Sequence, residues 1–155
     1  MSLAVYAPLS GDRVALGKVP DPVFAVQMVG SGPAVEPSRD TGPVDVVAPA
    51  AGVVVKLHPH AFVIRTGSGT GVLVHMGIDT VRRLNAERFR TLVAEGEQVE
   101  VGRAVITLDP ATVQARGLSA ICPVVVLDSP PGSGQPPAVT GPIQTGALLF
   151  RWAMS

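Results

Sequence analysis

Short apolar runs alternate with turn-forming residues along most of this chain. Runs with the length and the β-branched content of strands lie at 44–48, 53–57, 98–101, 104–108 and 123–127. A single short helix is indicated by Asp109 as N-cap, Pro110 at the first helical position and Gly117 as the stop. This pattern predicts an all-β fold, an antiparallel β-sandwich or flattened barrel with short connecting helical turns.

The clearest hairpin has its arms at 60–65 and 70–75, with a glycine-containing loop between them. Pairing the last residue of the first arm with the first residue of the second places His60 directly opposite His75. Opposed residues point to the same face of a sheet, with Cβ atoms about 4.5–5.5 Å apart. The pattern therefore predicts that these two histidines share one site.

All three histidines of the chain, His58, His60 and His75, fall in this region. Two protonated imidazoles at such a distance repel each other, so at least one ring is expected to be neutral and to offer a nitrogen lone pair. One chemistry that fits is phosphoryl transfer, with one histidine as acceptor and the other as hydrogen-bond donor. The other is a zinc site, because three histidines with an open position form a catalytic ligand set.

Composition restricts the remaining possibilities. The chain has 155 residues, 46% of them hydrophobic, and a net charge of zero, which predicts one soluble domain and gives no indication of nucleic-acid binding. Its N-terminus lacks a signal-peptide pattern, and no apolar stretch is long enough to cross a bilayer. Cys122, the only cysteine, excludes an internal disulfide and precedes a valine run, so we expect a buried thiol in a cytoplasmic protein.

The distribution of proline and glycine predicts three parts of the chain. Residues 1–127 are expected to form the β-sandwich domain, and residues 128–147 a linker or loop rich in proline and glycine. The final part, 148–155, is apolar again and contains the only tryptophan, which predicts a C-terminal edge strand or tail. Since the chain starts at Met1, we expect a free-standing subunit.

The motif GVLVHMGIDTV at 71–81, preceded by His60-Ala61-Phe62, resembles the signature of a known family. This family is the glucose-family enzyme IIA component of the bacterial sugar phosphotransferase system. Other blocks resemble that family in the same order: APLSG at 7–11, VPDPVF at 19–24, MVGSG at 28–32, APAAG at 48–52, EGEQV at 95–99 and CPVV at 122–125.

The resemblance implies a cytoplasmic phosphocarrier with an antiparallel β-sandwich and no cofactor or metal. His75 would accept a phosphoryl group on Nε2 from the histidine-containing phosphocarrier protein and pass it to a cysteine of a sugar-specific IIB domain of a membrane permease. His60 would support the phosphoryl group without carrying it. Regulatory proteins that bind the same surface are a further class of partner in this family.

The resemblance also implies a set of partner-binding residues. Acidic residues at the rim of the site would meet a basic residue of the phosphocarrier protein, and apolar residues around it would form a docking surface. These residues are Asp21, Asp79, Val23, Phe24, Met28, Val29 and Val81. Taken without the resemblance, the aspartates are equally consistent with turn residues and the apolar side chains with a core.

Two other classes of protein compete with this interpretation. A zinc-dependent hydrolase of the lysostaphin-like β-sandwich type would use the three histidines, but the chain offers no close His-x-His pair in its later strand and no evident acidic base. A lipoyl-like binding module is suggested by the EGEQVEVG turn at 95–102. However, neither of the two lysines, Lys18 and Lys56, lies in a Met-Lys attachment hairpin.

Overall fold

The computed structural model describes residues 2–21, 29–37, 42–78, 89–115, 117, 119–135 and 140–153. Within these ranges the chain forms fifteen strands, one short helix (α1, Pro110–Ala115) and one 3-10 turn (Leu16–Lys18). The strands are β1 (Ser2–Tyr6), β2 (Gly11–Val14), β3 (Gly30–Ser31), β4 (Ala34–Pro37), β5 (Val44–Val47), β6 (Gly52–His58), β7 (Ala61–Arg65), β8 (Gly71–His75), β9 (Phe89–Thr91), β10 (Gln98–Val99), β11 (Ala104–Leu108), β12 (Cys122–Leu127), β13 (Gly134–Gln135), β14 (Gly141–Ile143) and β15 (Leu148–Ala153). No helix in the described ranges is long and apolar enough to span a membrane.

The largest sheet carries the three histidines. Its strands follow the order β10-β6-β7-β8-β12-β4-β2-β14, and β3 pairs with β12 beside this path. Two three-stranded sheets, β1-β15-β13 and β5-β11-β9, contribute side chains to the same main core. Paired strands run antiparallel, so the predicted all-β class with an antiparallel β-sandwich and a short connecting helix is confirmed.

Strands β7 and β8 are apolar on both faces. Their inner face contributes four fully buried side chains to the main core: Phe62, Ile64, Val72 and Val74. On the other face, Leu73 packs against a second apolar cluster. This outer cluster consists of Leu16, Val19, Ala34, Ile78, Ile121 and Val125. Because side chains of a strand alternate between faces, His75 lies on the face of Leu73, next to the outer cluster.

The register of the β7–β8 hairpin differs by one residue from the predicted one. Ala61 lies opposite His75, where His60 was expected, and the ladder ends with Arg65 opposite Gly71. The loop is therefore one residue longer than predicted. The reason is burial, because the predicted register, one residue away, would turn Val72 and Val74 to the face opposite Phe62 and Ile64.

Helix α1 starts and stops as predicted. The N–H of Ala111 donates to the Asp109 carboxylate at 3.2 Å, which is an N-cap bond, and Pro110 is the first helical residue. Gly117 has a φ of 75°, the left-handed conformation that favours glycine after a helix. The helix is a connector between β11 and β12.

The C-terminal part of the chain is integrated into the sheets. Strands β13 and β14 lie within 128–147, the segment that the sequence predicts as a linker or loop. The division of the chain into three parts stays a prediction. Strand β15 pairs with β1 on one side and β13 on the other, so it is central in its sheet and not an edge strand as predicted. The indole N–H of Trp152 donates to the Ser133 hydroxyl at 3.0 Å, which ties the end of the chain to the preceding turn.

Candidate active site

His75 is the last residue of β8 and lies on the outer face of the large sheet. Its side chain is half-buried, and its strand neighbour Leu73 packs on the outer cluster. Opposite His75, on β7, is Ala61, whose side chain is a single methyl group. The ring therefore stands at the border between an apolar surface and the end of the hairpin, where a second ring has room to approach.

The Nδ1 atom of His75 lies 2.7 Å from the carbonyl oxygen of Gly77. A carbonyl oxygen only accepts, so Nδ1 carries the hydrogen and donates it. In a neutral ring this leaves the lone pair on Nε2. The hydrogen bond thus fixes both the orientation of the imidazole and the nitrogen that keeps an available lone pair.

The loop at 76–78 holds this carbonyl in place. The N–H of Met76 donates to the carbonyl of His60 at 2.7 Å, and the N–H of Ile78 donates to the carbonyl of Ser119 at 3.0 Å. Between them, Gly77 has a φ of 76°, a left-handed conformation that side chains other than glycine rarely adopt. The loop is anchored on both sides of the peptide that orients His75.

His60 lies in the turn just before β7, and its ring approaches that of His75 edge-on. The ring centroids are 5.3 Å apart and the ring planes are inclined by 73°. Burial lowers the pKa of His60 below its usual value, and the neighbouring His75 and His58 lower it further by repulsion. Near neutral pH, His60 is therefore a neutral ring that still has one N–H to donate.

His58, at the end of β6, is the third ring of the group. Its centroid lies 5.8 Å from that of His60, and the two rings are stacked with an interplanar angle of 26°. Nitrogen lone pairs lie in the plane of an imidazole, so stacked rings do not aim them at one point, as a tetrahedral zinc site requires. No group of three histidine, cysteine, aspartate or glutamate side chains in the described residues is arranged to hold a metal ion.

This arrangement suits group transfer at a nitrogen. It combines an oriented imidazole, His75, whose Nε2 lone pair is available, with a second ring, His60, whose centroid is 5.3 Å away. It stands beside an apolar surface that a partner protein can cover. Since a covering partner excludes water, charge that develops on a transferred group would be stabilised more strongly by the donor.

The structure brings together the two histidines that the sequence predicts as one site, although they are not opposed in the strand ladder as predicted. His60 is not the ladder partner of His75; it reaches the site because it lies in the turn outside the strand. Asp21 follows Val19 of the outer cluster by two residues, and Val29 packs against that cluster, so both lie beside the same surface. The other predicted partner-binding residues, Val23, Phe24, Met28, Asp79 and Val81, lie outside the described residues.

Cys122 is a buried thiol, as predicted from its position before a valine run. It is free and fully enclosed, and burial raises the pKa of the thiol to about 12. Its S–H donates to the carbonyl of Ala120 at 3.3 Å. A thiol with this pKa has almost no thiolate at neutral pH, so Cys122 is not a nucleophile.

Comparison with known proteins is decisive for the family. Residues 3–130 match the family model described as phosphoenolpyruvate-dependent sugar phosphotransferase system, EIIA 1. The chain belongs to this EIIA family. The predicted resemblance to glucose-family EIIA is therefore confirmed, and EIIA components are phosphotransferase components that act as phosphocarriers in sugar uptake.

Relatives of this EIIA chain include single-component and multi-component proteins. The glucose-specific EIIA component of Halalkalibacterium halodurans is 43% identical over 79% of this chain and 69% of its own length. The N-acetylglucosamine-specific EIICBA component of Klebsiella pneumoniae is 44% identical over 81% of this chain, but this chain spans only 19% of that protein. The zinc-hydrolase alternative has no support from these relatives.

A solved structure agrees over almost the whole chain. The glucose permease IIA from Mycoplasma capricolum has 31% sequence identity and a TM-score of 0.83, with 97% of this chain and 96% of that chain covered. The match therefore extends past residue 128 into the C-terminal strands. The β-sandwich seen here is the fold of that IIA protein.

Sequence reasoning missed the part played by Gly77 in this EIIA. The signal was present, because a glycine two residues after a histidine at a strand end marks a backbone that turns back on itself. What the sequence does not give is which atom of that turn the ring contacts. The carbonyl contact requires the left-handed φ, which appears only in the structure.

Gly77→Ala tests this contact. We expect the free energy of unfolding to fall by about 1–2 kcal/mol, the cost of forcing a Cβ into the left-handed region, and phosphoryl acceptance to slow as the carbonyl moves away from His75. Chemical denaturation and a phosphorylation assay measure the two effects.

Gly69→Ala is the matched control. Gly69 has a φ of 88° in the loop at the other end of the same hairpin, with open space where a Cβ would lie. It should lose similar stability and keep its rate of acceptance. An equal loss of rate in both variants would refute a specific role for the Gly77 peptide.

Proposed function

We propose that this EIIA accepts a phosphoryl group on Nε2 of His75 from the histidine-containing phosphocarrier protein and passes it to a cysteine of a sugar-specific IIB domain. The observation that carries the proposal is the hydrogen bond from Nδ1 of His75 to the Gly77 carbonyl, because it reserves the Nε2 lone pair for attack. The relay takes place in the cytoplasm, where phosphoenolpyruvate is available.

In the first step, the lone pair of His75 Nε2 attacks the phosphorus of the donor's phosphohistidine. A new N–P bond forms as the donor's N–P bond breaks, and its electron pair returns to the donor imidazole. In the second step, a IIB thiolate attacks the same phosphorus, and the Nε2–P bond breaks with its electron pair returning to His75. The chemistry needs in-line alignment and stabilisation of charge on the equatorial oxygens, and no cofactor.

His60 supplies that stabilisation in this proposal. Its ring stands 5.3 Å from that of His75, so an N–H on its near edge reaches oxygens attached to Nε2. Because its pKa is lowered, it donates as a neutral ring before the phosphoryl group arrives. A neutral donor assists transfer without trapping the group in a permanent ion pair.

Docking takes place on the surface beside the outer cluster. Asp21 and Asp79 are proposed to meet basic residues of the phosphocarrier protein, and the apolar contacts come from Val23, Phe24, Met28, Val29 and Val81. Of these, Asp21 and Val29 are described, and both lie next to outer-cluster residues. Donor, acceptor and any regulatory target would use this one surface in turn, since each has to reach the same nitrogen.

Intact mass spectrometry tests the proposal. The chain is incubated with phosphoenolpyruvate, enzyme I and the phosphocarrier protein, and a parallel sample omits the phosphocarrier protein. We expect a gain of one phosphoryl group that requires the phosphocarrier and disappears after acid treatment, as a phosphohistidine does. An unchanged mass together with stoichiometric zinc in the purified protein would contradict the relay and favour a hydrolase.

A further inference from the structure

His58 has no part in the relay described so far, yet a β-bulge directs it to the site. Strand β6 pairs with β7 so that Val54 lies opposite Ile64, and after the bulge Lys56 lies opposite Val63 and His58 opposite Ala61. In a regular strand, Val54 and His58 would share the inner face. The one extra residue turns the end of β6 over, so His58 projects from the outer face instead.

The bulge creates a row of side chains across three strands. His58 on β6 and His75 on β8 both lie opposite Ala61 on β7, so all three share the outer face. The His60 ring is 5.8 Å from the His58 ring and 5.3 Å from the His75 ring. Strands β6 and β8 are two strand spacings apart, about 10 Å between their backbones, and His60 is the ring that contacts both His58 and His75.

We propose that His58 is a positioning residue of the relay, whose stacked ring supports His60 from the β6 side and fixes its orientation toward the phosphoryl group on His75. This inference rests on the proposed function. It explains why the exposed end of β6 carries a ring, and why β6 has a bulge between Val54 and Lys56 that turns this end to the outer face. In this proposal His58 acts through His60, the ring on which it stacks.

The electrostatics of the row agree with this arrangement. Burial is the largest cause of the lowered pKa of His60, and His58 adds repulsion to that of His75. The titratable side chains on this face of the three strands are Lys56 and His58 of β6, Arg65 at the far end of β7 and His75 of β8. His58 is the only one besides His75 whose ring contacts His60 in the described part of the chain.

Two substitutions at residue 58 distinguish the effect of the stacked aromatic ring from the effect of a titratable group at this position. His58→Ala should leave phosphoryl acceptance intact and slow onward transfer by about twofold to tenfold, which corresponds to the loss of one aromatic pair. His58→Phe keeps a ring that stacks and should transfer at close to the wild-type rate. Lys56→Ala, which removes another side chain from the same face of β6, is the control and should change neither step.

The pKa of His60 gives a readout independent of transfer. In an NMR titration of the unphosphorylated protein, His58→Ala should raise the pKa of His60, because the ring becomes less buried and loses one repulsive neighbour. His58→Phe should raise it less, because burial remains. An unchanged His60 pKa in His58→Ala would overturn the contact on which the inference depends.

A double-mutant cycle tests whether His58 acts through His60. In a His60→Gln background, His58→Ala should slow onward transfer no further, whereas additive slowing would show that His58 acts independently and would overturn the proposal. Loss of all phosphoryl uptake by the wild-type protein would instead refute the proposed function. A working relay with a wild-type rate in His58→Ala would refute only the role of His58.

Discussion

His75→Gln is expected to abolish phosphoryl acceptance. The amide nitrogen of glutamine has its lone pair delocalised into the carbonyl, so it cannot attack phosphorus, and no other described histidine has its Nδ1 hydrogen committed to a backbone carbonyl. The fold should survive, with a loss of about 1 kcal/mol for the missing hydrogen bond, because His75 lies at the end of its strand. Intact mass after incubation with the phosphorylating system measures the effect.

The matched control for this variant is the same substitution on the neighbouring ring. His60→Gln changes the site by the same number of atoms and leaves Nε2 of His75 in place, so it should still gain one phosphoryl group. Phosphorylation of His75→Gln to the wild-type extent would mean that another residue is the acceptor. In that case the phosphorylated peptide would identify it.

His60→Gln is expected to slow onward transfer to the IIB domain by about 10²-fold, the lower end of the effect of removing one positioned donor from a transition state. The glutamine amide can still donate, but its flexible chain is not held at 5.3 Å from the His75 ring as the imidazole is. Single-turnover transfer from the phosphorylated variant to a IIB domain gives the rate. Acceptance from the phosphocarrier protein, measured in the same preparation, is the internal reference.

Two results would contradict this assignment of roles. If His60→Gln lost acceptance and onward transfer equally, His60 would be needed to form the phosphohistidine and not only to release it. If neither step changed, the edge-on contact of the two rings would have no part in transfer. Both outcomes are distinguishable from unfolding by a thermal melt of the same variant.

Much of the site could be predicted from the sequence because it lies in one hairpin. The two β-branched apolar runs around a glycine-containing loop predicted β7 and β8, and the position of a histidine at the far end of each arm predicted that their rings would meet. The predicted register is wrong by one residue because the glycine-containing segment 66–69 does not mark the full loop, which also includes Thr70. Burial of Phe62 and Ile64 with their partners on β8 decides the register, and that energy exceeds any preference of the loop.

Two features of the site could not be predicted. The bulge in β6 lies in a run of valines, which gives no indication of where an extra residue is accommodated. The acceptor of the His75 hydrogen bond is a backbone carbonyl, and carbonyls are the same at every position of a sequence. Only the path of the chain, set by φ at Gly77, determines which of them faces the ring.

The use of a main-chain carbonyl as the acceptor of the His75 hydrogen bond determines which substitutions the site tolerates. A carboxylate or hydroxyl that orients a catalytic histidine is lost by a single codon change, whereas a main-chain oxygen is supplied by any residue that occupies the position. The orientation of the nucleophile is therefore insensitive to most side-chain replacements around it and depends on one torsion angle. Engineered versions of the site should accept wide variation in neighbouring side chains as long as residue 77 remains able to adopt a positive φ.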